Sequence, residues 1–281
     1  MINYYLITKP GIIFGNLFTV AAGFILGSQG HINLLLFLET LLGMAFIMGS
    51  ACIFNNYIDR HLDKKMNRTN NRALANGRIT PRNALLLACA LELIGNIILM
   101  VFTNVLTVAI AGIGFFVYVV LYSFWKSRTV YGTAIGSIAG AVPPIVGYCA
   151  ASNTFDLAAA LLFAILVLWQ MPHFFAIAFL HLEDYAKAGI PVLPLSKGVT
   201  RTKIHMVLYI LAFIPITLML TLFDYTGQVF LIVTSCLGFA WLALSIKGFF
   251  CEDNKLWGKQ MFRLSLVIIA AICLIIPFDR I

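Results

Sequence analysis

The stretch FNNYIDRHLDKKMNRTNNRAL, residues 54–74, closes an apolar run that begins near residue 34 and opens a loop crowded with arginine and lysine. The chain has 281 residues, of which 61% are hydrophobic and only 11% charged, so such a concentration of charge asks for a reason. Asn55, Asp59 and Asp63 recur at i, i+4 and i+8. On a helix at 3.6 residues per turn that row drifts by only about 40° and stays on one face. Asn56 borders the face. The run before it is long enough to cross a hydrocarbon core of roughly 30 Å, so these oxygen-bearing side chains gather where a membrane helix meets water.

The rest of the chain repeats that pattern. Its mean hydropathy is +0.96, more apolar than one soluble core of this length can hide. Apolar runs with approximate limits 10–28, 34–57, 84–102, 105–124, 132–151, 157–180, 205–223, 228–246 and 261–278 predict an all-α integral membrane protein, nine helices in a single bundle around a cytoplasm-facing cavity. The net charge of +8 does not indicate nucleic acid, because its placement follows membrane topology. With the amino terminus in the cytoplasm, all but Arg280 of the 19 lysines and arginines fall on the inner side, and the carboxy terminus lies opposite. The outer connections, SQGH, TN and SNTF, carry neither Lys nor Arg. The amino-terminal MINYYLITKPG has no transit or cleavable-signal pattern, which predicts a retained first span. Six cysteines without CxxC spacing read as small apolar filler.

Two inner loops are long, 59–83 and 182–204, and they hold matching places in two four-span halves followed by a ninth span. They are expected to face each other across the cavity. In the fifth span Gly132, Gly136 and Gly140 form a row that lets neighbouring backbones approach, and Pro143 with Pro144 should kink the helix where a cavity or neighbours satisfy the freed carbonyls.

Chemistry narrows the ligand. Clustered oxygen donors suit Mg²⁺, which keeps waters or phosphate oxygens in its remaining positions. Arg60, Lys64, Lys65, Arg68, Arg72, Arg78 and Arg82 follow at once, and arginine holds phosphate in bidentate fashion. The plainer alternative is that the acids are solvated, or paired with Lys64 and Arg60. Acids and cations together at the mouth of an apolar cavity fit an anionic head on a greasy tail, as in a prenyl diphosphate.

The Asn-Asn-x-x-Asp-x-x-x-Asp pattern in this stretch resembles the first aspartate-rich motif of the UbiA-type intramembrane prenyltransferases. TKPGIIFGN (8–16), YGTAIGSIAGAVPPIVGYCA (131–150), LWQMPHFFAIA (168–178) and EDYAKAGIPVLPLSKG (183–198) resemble, more narrowly, the protohaem-farnesylating (haem O synthase) branch. The likeness spans nearly the whole chain and implies one transmembrane prenyltransferase domain over residues 1–281. It also implies Mg²⁺-dependent transfer of a farnesyl group from farnesyl diphosphate to a vinyl group of haem B, with addition of water. Haem O and diphosphate would result, in a bacterial inner membrane. Partners so implied are membrane lipid and a haem-copper terminal oxidase or the machinery that makes haem A.

Residue roles follow from the same likeness. Asn55, Asp59 and Asp63 are expected to hold the metal and be catalytic, with Asn56, Arg68 and Arg72 contacting substrate. Tyr122 and Lys126 in YSFWK share a helical face, with Arg128 close behind, and resemble the family's Tyr-x-x-x-Lys element, which implies a phosphate contact by Lys126. An interfacial tyrosine beside a snorkelling lysine is the ordinary alternative. Quinone-forming relatives carry a second Asp-x-x-x-Asp after the sixth span. Here Leu180 and His181 stand where the partner carboxylate would be, leaving Asp184 as second-site metal ligand and Lys187 as a phosphate contact. His173, inside the sixth span, either meets the haem iron or hydrogen-bonds another helix. Glu92 is within a span and has no assigned role. A quinone-precursor prenyltransferase and a transporter or haem-carrying assembly protein are the rivals. The first should have a fuller second aspartate pair, and the second gives no reason for metal-type acids beside phosphate-type cations.

Overall fold

The computed structural model describes residues 2–279. A short α1 (Ile2–Ile7) precedes α2 (Pro10–Gly27), α3 (Leu34–Asp63) and α4 (Pro81–Phe102). Then α5 (Val105–Phe116) runs through a π-helical turn, Val117–Tyr122, into α6 (Ser123–Trp125). Next come α7 (Gly132–Gly140), α8 (Val142–Ser152) and α9 (Leu157–Leu180), followed by the small α10 (Leu182–Ala188) and α11 (Leu193–Ser196). The chain closes with α12 (Val199–Leu222), α13 (Gln228–Lys247), a 3₁₀ turn Gly248–Phe250, and α14 (Asn254–Ile275). Among the described residues there is no strand, and nine helices are long and apolar enough to cross a membrane.

All nine expected spans are present, with shifted ends. The second continues to Asp63, the seventh starts at Val199 and the ninth at Asn254. Apolar runs mark the lipid boundary, whereas helices continue beyond it wherever side chains cap them or cover their ends. Asp253 accepts from the backbone N–H groups of Lys255 and Leu256 at 2.9 and 3.0 Å, starting α14 seven residues before its apolar run. Asp156 does the same for α9, and Thr80 with Pro81 starts α4. Arg280 and the carboxy terminus lie outside the described residues.

Burial orders the bundle. The spans built from α7–α8 and from α9 are the most enclosed, while α4 turns Leu86, Leu93, Ile97 and Met100 outward. Outward apolar side chains are what lipid requires. Helix α2 packs on α8 through Gly23, Gly27 and Gly147, where any Cβ would overlap backbone of the facing helix. The close backbone approach is thus placed differently from the expected Gly132–Gly136–Gly140 row. Gly136 makes room for the Tyr122 ring, Gly140 for the Gln170 side chain, and only Gly132 lies against backbone, at Lys126. The paired prolines interrupt the fifth span at Ala141, dividing it into α7 and α8. In the second half, Trp241 packs edge-on to Phe213 with ring centroids 5.7 Å apart, and the Trp169 indole donates to the Ser265 carbonyl at 2.8 Å, locking α9 to α14.

Candidate active site

The inner end of α3 is a row of polar side chains that are nonetheless buried: Asn55, Asp59 and Asp63 are 3%, 7% and 2% exposed. Buried polar and charged side chains need compensation. Here it arrives from three other parts of the chain. Lys126, at the end of α6, pairs with Asp59. Arg72, in the loop after α3, donates to both oxygens of Asp63 at 2.9 Å. Lys9, between α1 and α2, donates to Asn55 Oδ1 at 2.7 Å. Lys9 holds a left-handed backbone, φ 57°, immediately before Pro10, and burial pushes its ammonium down to about 8, with Arg72 and Lys126 adding to the push. The sequence-neighbour cations take no part: Arg60 donates to the Tyr57 carbonyl at 2.7 Å, and Lys64 is exposed.

This row forms the mouth of a cavity of about 710 Å³ enclosed by α2, α3, the α5–α8 segments, α9 and α14. Arg68, Arg72, Lys126 and Tyr122 line it, as do Asn55, Asp59 and Asp63. Asn56 does not. Its amide donates to the Ile7 carbonyl at 2.8 Å and its oxygen accepts from Arg72 at 3.4 Å, so it ties α1 and the loop to α3. Beyond the mouth, Tyr118 and Tyr122 stack with centroids 5.5 Å apart. Both belong to the π turn, a distortion common where a helix serves a site.

The inner wall belongs to α9. His173 lies seven residues from that helix's carboxy-terminal end, roughly 10 Å down at 1.5 Å per residue. Its ring is stacked between Trp169 and Phe262, with centroids 4.7 and 5.0 Å away, and its Nδ1 is 2.7 Å from Ser265 Oγ. The imidazole thus makes a hydrogen bond to another helix and also lines the cavity. The Ser265 hydroxyl donates to the Phe262 carbonyl at 2.7 Å, which leaves its oxygen to accept from His173 Nδ1–H. The basic nitrogen of the ring is then Nε2.

A hard dication fits the mouth. Asp59 Oδ1 is buried without a hydrogen-bond partner, and it shares its face with the Asn55 amide and the Asp63 carboxylate. Oxygen donors of this kind, with one left unsatisfied, are the complement of Mg²⁺. Asp184 is not brought to them, and among the described residues no three His, Cys, Asp or Glu side chains converge in metal-holding geometry. The physical reason is that Asp184, in the first turn of α10, accepts from the backbone N–H groups of Asn67 and Arg68 at 3.0 and 3.4 Å. It joins the two long inner loops instead. Lys187 is exposed away from the cavity, and the Arg128 guanidinium covers the Phe124 ring at 3.6 Å.

Several lining residues escape a reading of the sequence. Lys9 was visible only as one more inner-side cation. Tyr118 sits four residues before Tyr122 on the same row, a usable signal. Gln170, an amide inside an apolar span three residues before His173, was another. Tyr185, whose phenol burial pushes up, lines the mouth from α10.

The chain shares its fold and much of its sequence with known proteins. The model of the UbiA prenyltransferase family matches residues 16–267. Protoheme IX farnesyltransferase of Protochlamydia amoebophila (strain UWE25) is 56% identical over 280 residues, 99% of each chain. Protoheme IX farnesyltransferase of Edwardsiella ictaluri (strain 93-146) is 48% identical over 278 residues, 99% of this chain and 94% of that protein. The solved structure of a UbiA homolog from Archaeoglobus fulgidus bound to GPP and Mg2+ superposes with a TM-score of 0.70 at 19% identity, over 98% of this chain and 99% of that one. With its nine apolar helices and its buried Asn-Asp-Asp row, the chain belongs to the UbiA prenyltransferase family.

Proposed function

We propose that the chain transfers the farnesyl group of farnesyl diphosphate to a vinyl carbon of haem B, adds water to the neighbouring carbon, and releases haem O and diphosphate. The observation that carries this reading is one cavity that joins a charged mouth to a deep chamber walled by the flat Trp169–His173–Phe262 stack. A diphosphate suits the first, a lipid tail and a planar macrocycle the second. The relatives named above, at 56% and 48% identity, support haem over a small aromatic ring as acceptor.

Asn55, Asp59 and Asp63 would hold Mg²⁺, as the Archaeoglobus homologue's bound Mg2+ and GPP suggest. When bound, the metal neutralises charge on the diphosphate as the allylic C–O bond breaks. Lys126 and Arg72 exchange their carboxylates for phosphate oxygens, and Arg68 and Lys9 complete the cationic rim. The stacked Tyr118 and Tyr122 present π faces to the allylic cation and keep water from it. His173 and its two aromatic neighbours hold the porphyrin. The amino terminus and the mouth lie on the cytoplasmic side of a bacterial inner membrane, and the product serves a haem-copper oxidase or the machinery that makes haem A.

Mass analysis of haem after incubation of purified protein with haem B, farnesyl diphosphate and Mg²⁺ tests the reading. A chelator-sensitive product heavier by one farnesyl group and one water is expected. Unchanged haem beside an active control enzyme overturns it.

A further inference from the structure

At the inner wall of the cavity one polar side chain has nothing to do. Gln170 is 5% exposed and lines the cavity, yet its Oε1 is buried without a hydrogen-bond partner. Its amide lies against Gly140, where any Cβ would overlap it. Gly140 ends α7, and Pro143 and Pro144 follow three and four residues later. Neither proline has an N–H, so the Gly140 carbonyl is denied both donors that a 3₁₀ or α-helix would supply. Gln170 Oε1 is the acceptor at this wall that needs a donor.

The organic substrates cannot supply it. A farnesyl chain and a vinyl-bearing porphyrin edge offer only C–H groups, and haem propionates are themselves acceptors. Water is the small molecule that donates one hydrogen to Gln170 Oε1 and keeps the other, with its lone pairs, for the chamber.

Resting on the haem-farnesylating reading above, we infer that Gln170 holds the water that adds to the haem. When the farnesyl C1 bonds to the terminal vinyl carbon, the vinyl π pair is consumed and the adjoining carbon becomes a cation. The water oxygen bonds to that carbon, and its surplus proton passes to the free Nε2 of His173, three residues along α9 on the same wall. Diphosphate has already left with the electrons of the allylic C–O bond, so charge and atoms balance. Without held water the same cation loses a proton from the neighbouring carbon and gives an alkene, lighter than haem O by one water. Gln170 therefore decides between alcohol and alkene.

The test is the mass spectrum of the haem products made by the full-length protein in detergent. Wild type is expected to give the hydrated product, and Gln170→Leu, close in size but without an acceptor, to lower the ratio of hydrated to anhydrous product at least tenfold. Gly140→Ala, which displaces the amide, should move the ratio the same way. A Gln170→Leu enzyme that makes hydrated product at the wild-type ratio overturns the assignment. Should that variant make no farnesylated haem, Gln170→Glu decides, because it keeps an acceptor oxygen in the same volume: hydrated product supports the assignment and none overturns it. Wild type that farnesylates no haem overturns the functional reading, and this one with it.

Discussion

One guanidinium nitrogen of Arg72 donates to both carboxylate oxygens of Asp63, 2.9 Å from each, although Asp63 is almost wholly buried and Arg72 reaches it from a loop outside the helix. The pair is structural as well as electrostatic, since Thr69 from the same loop donates to the Asp63 carbonyl at 3.1 Å. Arg72→Ala should destabilise the protein by about 1–3 kcal/mol, the cost of an uncompensated buried carboxylate discounted for the partial exposure of Arg72. Adding Asp63→Asn should recover most of that loss. Thermal unfolding of the single and double variants in detergent checks this, and equal destabilisation of the two would show that the charge is not what matters.

Asp59→Asn removes the carboxylate whose Oδ1 has no partner while keeping its volume. Turnover is expected to fall by about 10²- to 10³-fold, in the range lost when one transition-state charge stabiliser is removed. The fold should persist, because the change is at a polar helix end. Rates across a Mg²⁺ titration, together with size-exclusion profiles, check both halves, and wild-type turnover would sink the assignment.

Lys9→Gln keeps a donor near Asn55 but deletes the charge on the rim. The expected result is a KM for farnesyl diphosphate raised about tenfold, roughly 1.4 kcal/mol of binding, with kcat changed much less. Initial-rate kinetics at saturating haem decide it. A change confined to kcat would place Lys9 at the reacting carbons instead.

Asp184→Ala separates loop fastening from metal binding. Because its carboxylate holds the backbone of Asn67 and Arg68, the variant should expose the loop to trypsin at Lys64, Lys65 and Arg68. The Mg²⁺ concentration giving half-maximal rate should not move. Unaltered proteolysis with a shifted Mg²⁺ requirement would return Asp184 to the metal.

The sequence made the nine spans and the Asn55–Asp59–Asp63 face legible because both depend on local periodicity: apolar length in one case, a four-residue repeat in the other. What it left dark depends on contacts between distant segments. Lys203 shows why the seventh span began late. A cation in the second turn of α12 looks like the end of an apolar run, yet its stem is buried and its Nζ donates to the Gly248 carbonyl at 2.6 Å. Lys9, Lys126 and Arg72, the partners of Asn55, Asp59 and Asp63, stand 46, 67 and 9 residues from them, beyond any helical repeat. Asp184 carried the chemistry of a ligand, and only the tertiary path of α10 assigns it to the backbone of the facing loop. The π turn that carries Tyr118 and Tyr122 has no signature of composition at all.

At the resting mouth of the cavity each carboxylate has its own cation, Asp59 paired with Lys126 and Asp63 with Arg72. A dication entering alone would crowd those ammonium and guanidinium groups, and a diphosphate entering alone would crowd the carboxylates. Each arrival would relieve the electrostatic cost of the other, so on the proposed function metal and prenyl donor would tighten one another's binding by the same factor, whichever is varied. Such a site would respond to the product of two concentrations, and the pairs that hold it together would disfavour a cation that arrives without its diphosphate.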